Sequence, residues 1–162
     1  MNDASIEFNT QLELDVLLNG LTVINGDYVS RFDWAQLDEI VIPDGVKDLG
    51  DLAFHMCGGI TDVTISDSVI SIGYAAFAHC YNLTHITIPD SVICIGNYAF
   101  QECHRLRAIT IPGSVVSIGR DAFWKCDYLT DLMFKDRKLN EISSIEGYPW
   151  GLYSGQISVQ DA

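Results

Sequence analysis

The sequence predicts an α/β repeat solenoid: stacked coils with short parallel strands and a cap at each end. Two observations predict it. First, a 23-residue pattern runs without insertion or deletion through 35–57, 58–80, 81–103 and 104–126, and starts again over 127–134. Second, its apolar positions stay in register as columns. One is Leu37, Ile60, Leu83, Leu106 and Leu129, and the next is Ile40, Val63, Ile86, Ile109 and Leu132. Val46, Val69, Val92 and Val115 form another, as do Leu49, Ile72, Ile95 and Ile118, each followed directly by glycine. Ala-Phe pairs end at Phe54, Phe77, Phe100 and Phe123, and Cys57, Cys80, Cys103 and Cys126 close the copies. A period of this size marks units that bury their apolar side only by stacking on each other.

In chain order, residues 1–34 read as an N-terminal cap. Thr10-Gln-Leu-Glu13 is a capping box, and Leu14, Leu17, Leu18 and Leu21 follow helical spacing, which predicts a short helix over about 11–19. The alternation of Ile6, Phe8, Leu12, Leu14 and Val16 permits strands instead. Asn25-Gly26 between two apolar runs over 21–34 predicts a hairpin, which would cover the open end of the stack. Within each copy of 35–134, Leu-x-x-Ile-x-Ile alternates at its end and reads as a strand. Pro43, Pro89 and Pro112 end three of these strands. Val-x-x-Ile-Gly reads as a second extended arm whose glycine permits a turn. The Ala-Phe-x-x-Cys segment reads as one helical or 3₁₀ turn. Residues 135–162 read as a C-terminal cap, with a short helix over 139–146, a returning strand near 156–159, and Tyr148, Trp150 and Tyr153 as a plug. The whole reads as one structural domain.

The pattern C-x-x-L-x-x-I-x-I-P-x-S-V-x-x-I-G-x-x-A-F-x-x-C resembles the BspA-like leucine-rich repeat, over about 35–134. Its departure from the commoner L-x-x-L-x-L-x-x-N pattern lies at the Asn position, which holds Gly45, Ser68, Ser91 and Ser114. An asparagine ladder is therefore excluded. The resemblance implies a binding scaffold, often on cell surfaces, rather than an enzyme; on that ground alone the chain would be a fragment of a bacterial surface adhesin.

Charge is unevenly spread. Residues 1–103 carry 15 acidic and 2 basic side chains, whereas 104–162 carry 7 of each, and the whole chain has a formal net charge of −13. This disfavours direct binding of nucleic acid or anionic lipid through the first two thirds, and favours a basic partner there; solubility alone is the competing account. The apolar runs are too short for membrane insertion. The start of the chain carries no basic and apolar leader pattern, which with the cysteine usage points to the cytoplasm, or to secretion or the cell surface should a leader have been removed.

The cysteine column invites a zinc reading, and geometry opposes it. Four sulfurs on successive coils lie in a line with ends about 14 Å apart at the strand spacing, whereas a tetrahedral site gathers them about 2.3 Å from one ion. A ladder of buried free thiols is expected, with Cys94 off the column and partly exposed, and no metal or cofactor. His55, His79, His85 and His104 fall in four different columns and are not expected to cluster. Phosphate loops, nucleophile elbows and paired-histidine motifs are missing from the sequence, and the chain is not read as an enzyme. Trp124, beside Arg105, Arg107, Arg120 and Lys125 in one repeat, is expected to be exposed in a small basic-aromatic patch.

The outward positions of the first strand are the expected binding face. One column is Glu39, Asp62, His85, Ala108 and Asp131; the other is Val41, Thr64, Thr87, Thr110 and Met133. Glu39, Asp62, Thr64, His85, Thr87, Thr110, Asp131 and Met133 are the candidate partner-binding residues. The expected function is a non-catalytic protein-protein interaction module with a basic protein partner. The alternative from another class is an acidic inhibitor, or nucleic-acid mimic, of a nucleic-acid-processing enzyme.

Overall fold

The structure is a computed structural model and describes residues 22–26, 37–136, 150–152 and 157–159. The helix read over 11–19, the second arm of the N-terminal hairpin and the helix over 139–146 lie outside these residues, as do Tyr148 and Tyr153.

Each coil has three sides. The first strands are β2 (Glu39–Val41), β4 (Asp62–Thr64), β6 (His85–Thr87), β8 (Ala108–Ile111) and β10 (Asp131–Phe134). The second are β3 (Asp48–Leu49), β5 (Ser71–Ile72), β7 (Cys94–Ile95) and β9 (Ser117–Ile118). All pairing is parallel, and between the repeats it advances by the repeat length, so that Glu39 faces Asp62 and Leu49 faces Ile72. At the N-terminal end β1 (Val23–Ile24) joins the second-strand sheet, in the order β1-β3-β5-β7-β9. The first arm of the expected hairpin therefore pairs in parallel with the first coil. At the other end β11 (Ile157–Val159) pairs with β10, the returning strand read from the sequence, and Trp150 lies fully buried with its ring 5.5 Å from Phe134.

The interior is the set of columns. Phe54, Phe77, Phe100 and Phe123 stack nearly parallel, with centroids 5.3, 5.6 and 5.5 Å apart, and each is buried. In place of an asparagine ladder there is a serine one: Ser68, Ser91 and Ser114 donate through Oγ to the carbonyls of Val46, Val69 and Val92 at 2.7, 2.6 and 2.7 Å.

The third side corrects two expectations. It is a run of turns in which alternate residues bond outward, and not one helical or 3₁₀ turn. The N–H groups of Leu52, Phe54 and Met56 donate to the carbonyls of Tyr74, Ala76 and Ala78 on the next coil, while those of Ala53, His55 and Cys57 close turns onto Gly50, Leu52 and Phe54. This geometry puts Leu52 and Met56 at φ of 60° and 62°, and the same two positions recur in every coil through Asp121 and Lys125. Each such residue costs about 1–2 kcal/mol, offset from Leu52 through Glu102 by its bond to the next coil. The glycine before this side has no positive φ. Its role is close approach: a Cβ on Gly96 would lie 2.5 Å from the Gly73 carbonyl carbon.

Cys57, Cys80, Cys103 and Cys126 are buried free thiols, and Cys94 is exposed. Cys80, Cys103 and Cys126 donate to the carbonyls of Phe54, Phe77 and Phe100 at 3.2, 3.2 and 3.0 Å. Burial pushes the Cys80 and Cys126 thiols from 9.0 up to about 12, and Cys57 and Cys103 are raised as well. A raised folded value stabilises the fold below the unfolded value and loses that contribution as pH climbs through the folded one. Stability is therefore expected to fall between pH 9 and about 12, by up to about 1.4 kcal/mol per pH unit for each thiol. In the native protein at pH 8, Ellman's reagent should titrate Cys94 alone and rapidly, and all five thiols only after denaturation. Rapid native reaction of more than one thiol, or denaturation midpoints flat across that pH window, would contradict a buried thiol ladder.

Candidate interaction face

Strand alternation exposes the two predicted columns. Glu39, Val41, Thr64, His85, Thr87 and Asp131 are exposed, and Asp62, Thr110 and Met133 half-buried. The register aligns Glu39, Asp62 and His85, and beside them Val41, Thr64 and Thr87. Asp131 faces Ala108, and Met133 faces Thr110. Asp62 is the best-tied carboxylate of the face, accepting from the Thr61 hydroxyl at 2.9 Å and lying 3.5 Å from His85 Nδ1.

The two groups belong to different sheets. The first-strand side divides into β2-β4-β6 and β8-β10-β11, and β6 lies beside β8 without pairing to it. The sequence explains the break. Thr61, Thr84 and Thr130 occupy one column, and each clamps its coil to the preceding one through Oγ, to Asp38, Thr61 and Arg107 carbonyls at 2.9, 3.0 and 3.4 Å. Their backbone N–H groups make the same connections at 2.7, 2.8 and 3.0 Å. Arg107 holds that column in the fourth coil. It has no hydroxyl to offer, and its N–H makes no bond to Thr84 among the described residues.

Two open hollows flank this junction and share His85 and Ala108. One, about 460 Å³, is bounded by Pro89, Pro112 and the Lys135–Asp90 ion pair at 3.0 Å. The other, about 630 Å³, is lined by Thr84, His85, Arg105, Arg107, Ala108 and Tyr128. The basic-aromatic patch predicted around Trp124 is thus divided. Trp124 is exposed and carries Lys125 4.4 Å from its ring centroid, and Arg120 pairs with Asp121, while Arg105 and Arg107 line the hollow with Tyr128.

The histidine reading needs a correction. Three of the four rings join one aromatic chain along the coil edge: His55 meets His79 at 5.2 Å, His79 meets Tyr81 at 5.7 Å, and Tyr81 stacks on His104 at 5.5 Å. Positions just before and just after the buried cysteine project to the same side, so columns two apart become neighbours across a coil boundary. His79 lies 3.2 Å from Glu102 and His104 2.9 Å from Asp127. Lys125 bonds to Glu102 at 3.0 Å and holds its carboxyl below the usual range. Burial, and then His79, lower His55. Among the described residues, no group of three or more His, Cys, Asp and Glu side chains is disposed to hold a metal ion.

Comparison with known proteins gives one family and several solved structures. The leucine-rich repeat protein of T. pallidum matches at 35% identity and a TM-score of 0.57, over 59% of this chain and 47% of its own. One from Bacteroides ovatus matches at 38% and 0.57, over 60% of this chain and 25% of its own. A leucine rich cell surface protein from Faecalibacterium prausnitzii matches at 25% and 0.55, over 68% and 36%. The matched region thus spans half or less of each of these proteins. No curated protein matches the chain. The family model described as BspA type leucine rich repeat region, in 6 copies, covers residues 28–146, and the chain belongs to that family.

Proposed function

We propose that the chain is a non-catalytic interaction module that binds a basic protein through the strand-lined face of its acidic coils. The observation that supports it is the alignment of Glu39, Asp62 and His85 on an exposed sheet, within a stretch carrying 15 acidic and 2 basic side chains. Thr64 and Thr87 lie alongside as hydrogen-bonding surface, with Thr110, Asp131 and Met133 extending the face past the junction. The repeat fold itself suits an extended, rigid binding surface.

Charges of this kind set encounter rate and partner choice, and are screened over about 8 Å at physiological salt. With a partner captured from the source cell, association measured by stopped flow should slow about tenfold from low to high salt. Glu39→Lys with Asp62→Lys should slow it further at low salt and leave the melting temperature unchanged. Rates indifferent to salt and to both substitutions would place the interface elsewhere on the molecule.

We further propose a reducing location, the cytoplasm, because an exposed free Cys94 beside four unpaired buried thiols suits one. A second reading, display at a cell surface, is favoured by the likeness to the leucine rich cell surface protein of F. prausnitzii. Detection of the chain on intact cells by antibody would decide for the second.

A further inference from the structure

We infer that the hollow between Arg105, Arg107 and Tyr128 is a binding site for a phosphate or sulfate group carried on a sugar-sized ring. This site shares His85 and Ala108 with the strand-lined face, but its argument does not rest on the protein-binding reading.

Charge pairing is the first argument. Of the basic side chains in 104–136, Arg120, Lys125 and Lys135 are all engaged with carboxylates. Arg105 and Arg107 have no ion pair among the described residues, although the chain carries a net charge of −13. Two guanidinium groups left unpaired in so acidic a protein, and lining one hollow, present donors in the fork geometry that suits tetrahedral oxyanions.

The backbone supplies the second argument. Arg107 brings a guanidinium where other coils carry the threonine clamp, and among the described residues its N–H makes no bond to Thr84; both residues line the hollow. Ala108, where neighbouring coils carry His85 and Asp131, keeps the floor low. Size and shape give the third argument. At about 630 Å³ the hollow exceeds a bare phosphate and falls within the small-ligand range of about 300–1,000 Å³. Tyr128, 63% exposed, offers a ring face beside it on the next coil. One carboxylate opposes anion binding: Asp131 faces Ala108, and its charge is partly satisfied by the Thr130 hydroxyl at 2.9 Å.

The test is titration of the whole chain at low salt with glucose 6-phosphate, glucose 6-sulfate, glucose and inorganic phosphate, followed by calorimetry and by amide shifts of Arg107 and Ala108. Both charged sugars are expected to bind and to move these amides; the tighter one identifies the oxyanion. Glucose should not bind, and phosphate alone should bind more weakly. Arg105→Ala and Arg107→Ala should each lose about tenfold in affinity without change in melting temperature, both side chains being exposed. Asp131→Asn should gain affinity. Arg107→Thr should abolish binding while raising the melting temperature, because it restores the clamp and closes the junction. Absence of binding by both charged sugars, equal binding of glucose, or affinities unchanged in the arginine variants would overturn the site. Inorganic phosphate binding as well as glucose 6-phosphate would remove the ring from it.

Discussion

Gly96→Ala is expected to destabilise the protein by at least about 3 kcal/mol, with a fall in melting temperature of roughly 6–12 °C. The added Cβ would meet the Gly73 carbonyl carbon at 2.5 Å, its oxygen at 2.6 Å and the Tyr74 nitrogen at 2.8 Å. All three are backbone atoms, so no side chain can swing aside. Relief requires coils two and three to separate where Gly96 N–H donates to Ile72 at 2.7 Å and where β5 pairs with β7. Gly58→Ala is the control. The same methyl there meets nothing nearer than 3.9 Å, at φ suited to any residue, and should leave stability within about 0.5 kcal/mol of the parent. Equal melting temperatures for the two variants would show that the backbones are not in close contact at the glycine column.

That contrast marks how far the sequence could be read. The columns were legible because burial imposes residue type: each must be apolar in every copy, and a 23-residue offset exposes them. Strand alternation then gave the outward columns, and the register has Glu39 facing Asp62 and Thr64 facing Thr87. The third side was not legible. Its left-handed positions hold Leu52, Ala75, Tyr98 and Asp121, four residues with no common property; backbone bonds to the next coil and not the side chains hold the first three there. The glycine column was visible and its cause was not: a turn and a close approach demand the same residue, and only φ and the neighbouring atoms distinguish them.

The unpaired junction and the ring chain are a different kind of omission, because their signals were present. Thr61, Thr84, Arg107 and Thr130 form a column whose single exception marks where the sheet divides. That column belongs to neither the apolar set nor the two outward columns, and its signal is chemical: threonine bonds to the previous coil and arginine does not. The ring chain was hidden by comparing columns one at a time. In a solenoid, neighbours across the coil boundary are as close as neighbours along a column, and His79, Tyr81 and His104 are joined in that way.

Phe100→Ala is expected to cost about 3–5 kcal/mol. Phe100 is wholly buried between Phe77 and Phe123, with centroids at 5.6 and 5.5 Å and interplanar angles of 1° and 4°. Collapse into the space is opposed on both sides. The flanking rings are held by their own backbone bonds, Phe77 N–H to Ala99 at 2.8 Å and Phe123 N–H to Trp150 at 3.0 Å, and Phe100 itself donates to Ala122 at 2.8 Å. The consequence goes beyond one cavity, because a solenoid is stabilised coil by coil through its neighbours. Loosening the third coil weakens the coupling between the first two coils and the last two. Two-state unfolding should therefore give way, with a lower m-value in urea and transitions that no longer coincide when followed by far-ultraviolet dichroism and by tryptophan fluorescence. The fluorescence reports chiefly on the C-terminal half, where Trp124 and Trp150 lie, and the dichroism on the whole stack. A melting temperature lowered by only a degree, with the two transitions still superimposed, would mean that the phenylalanine column does not carry the stack.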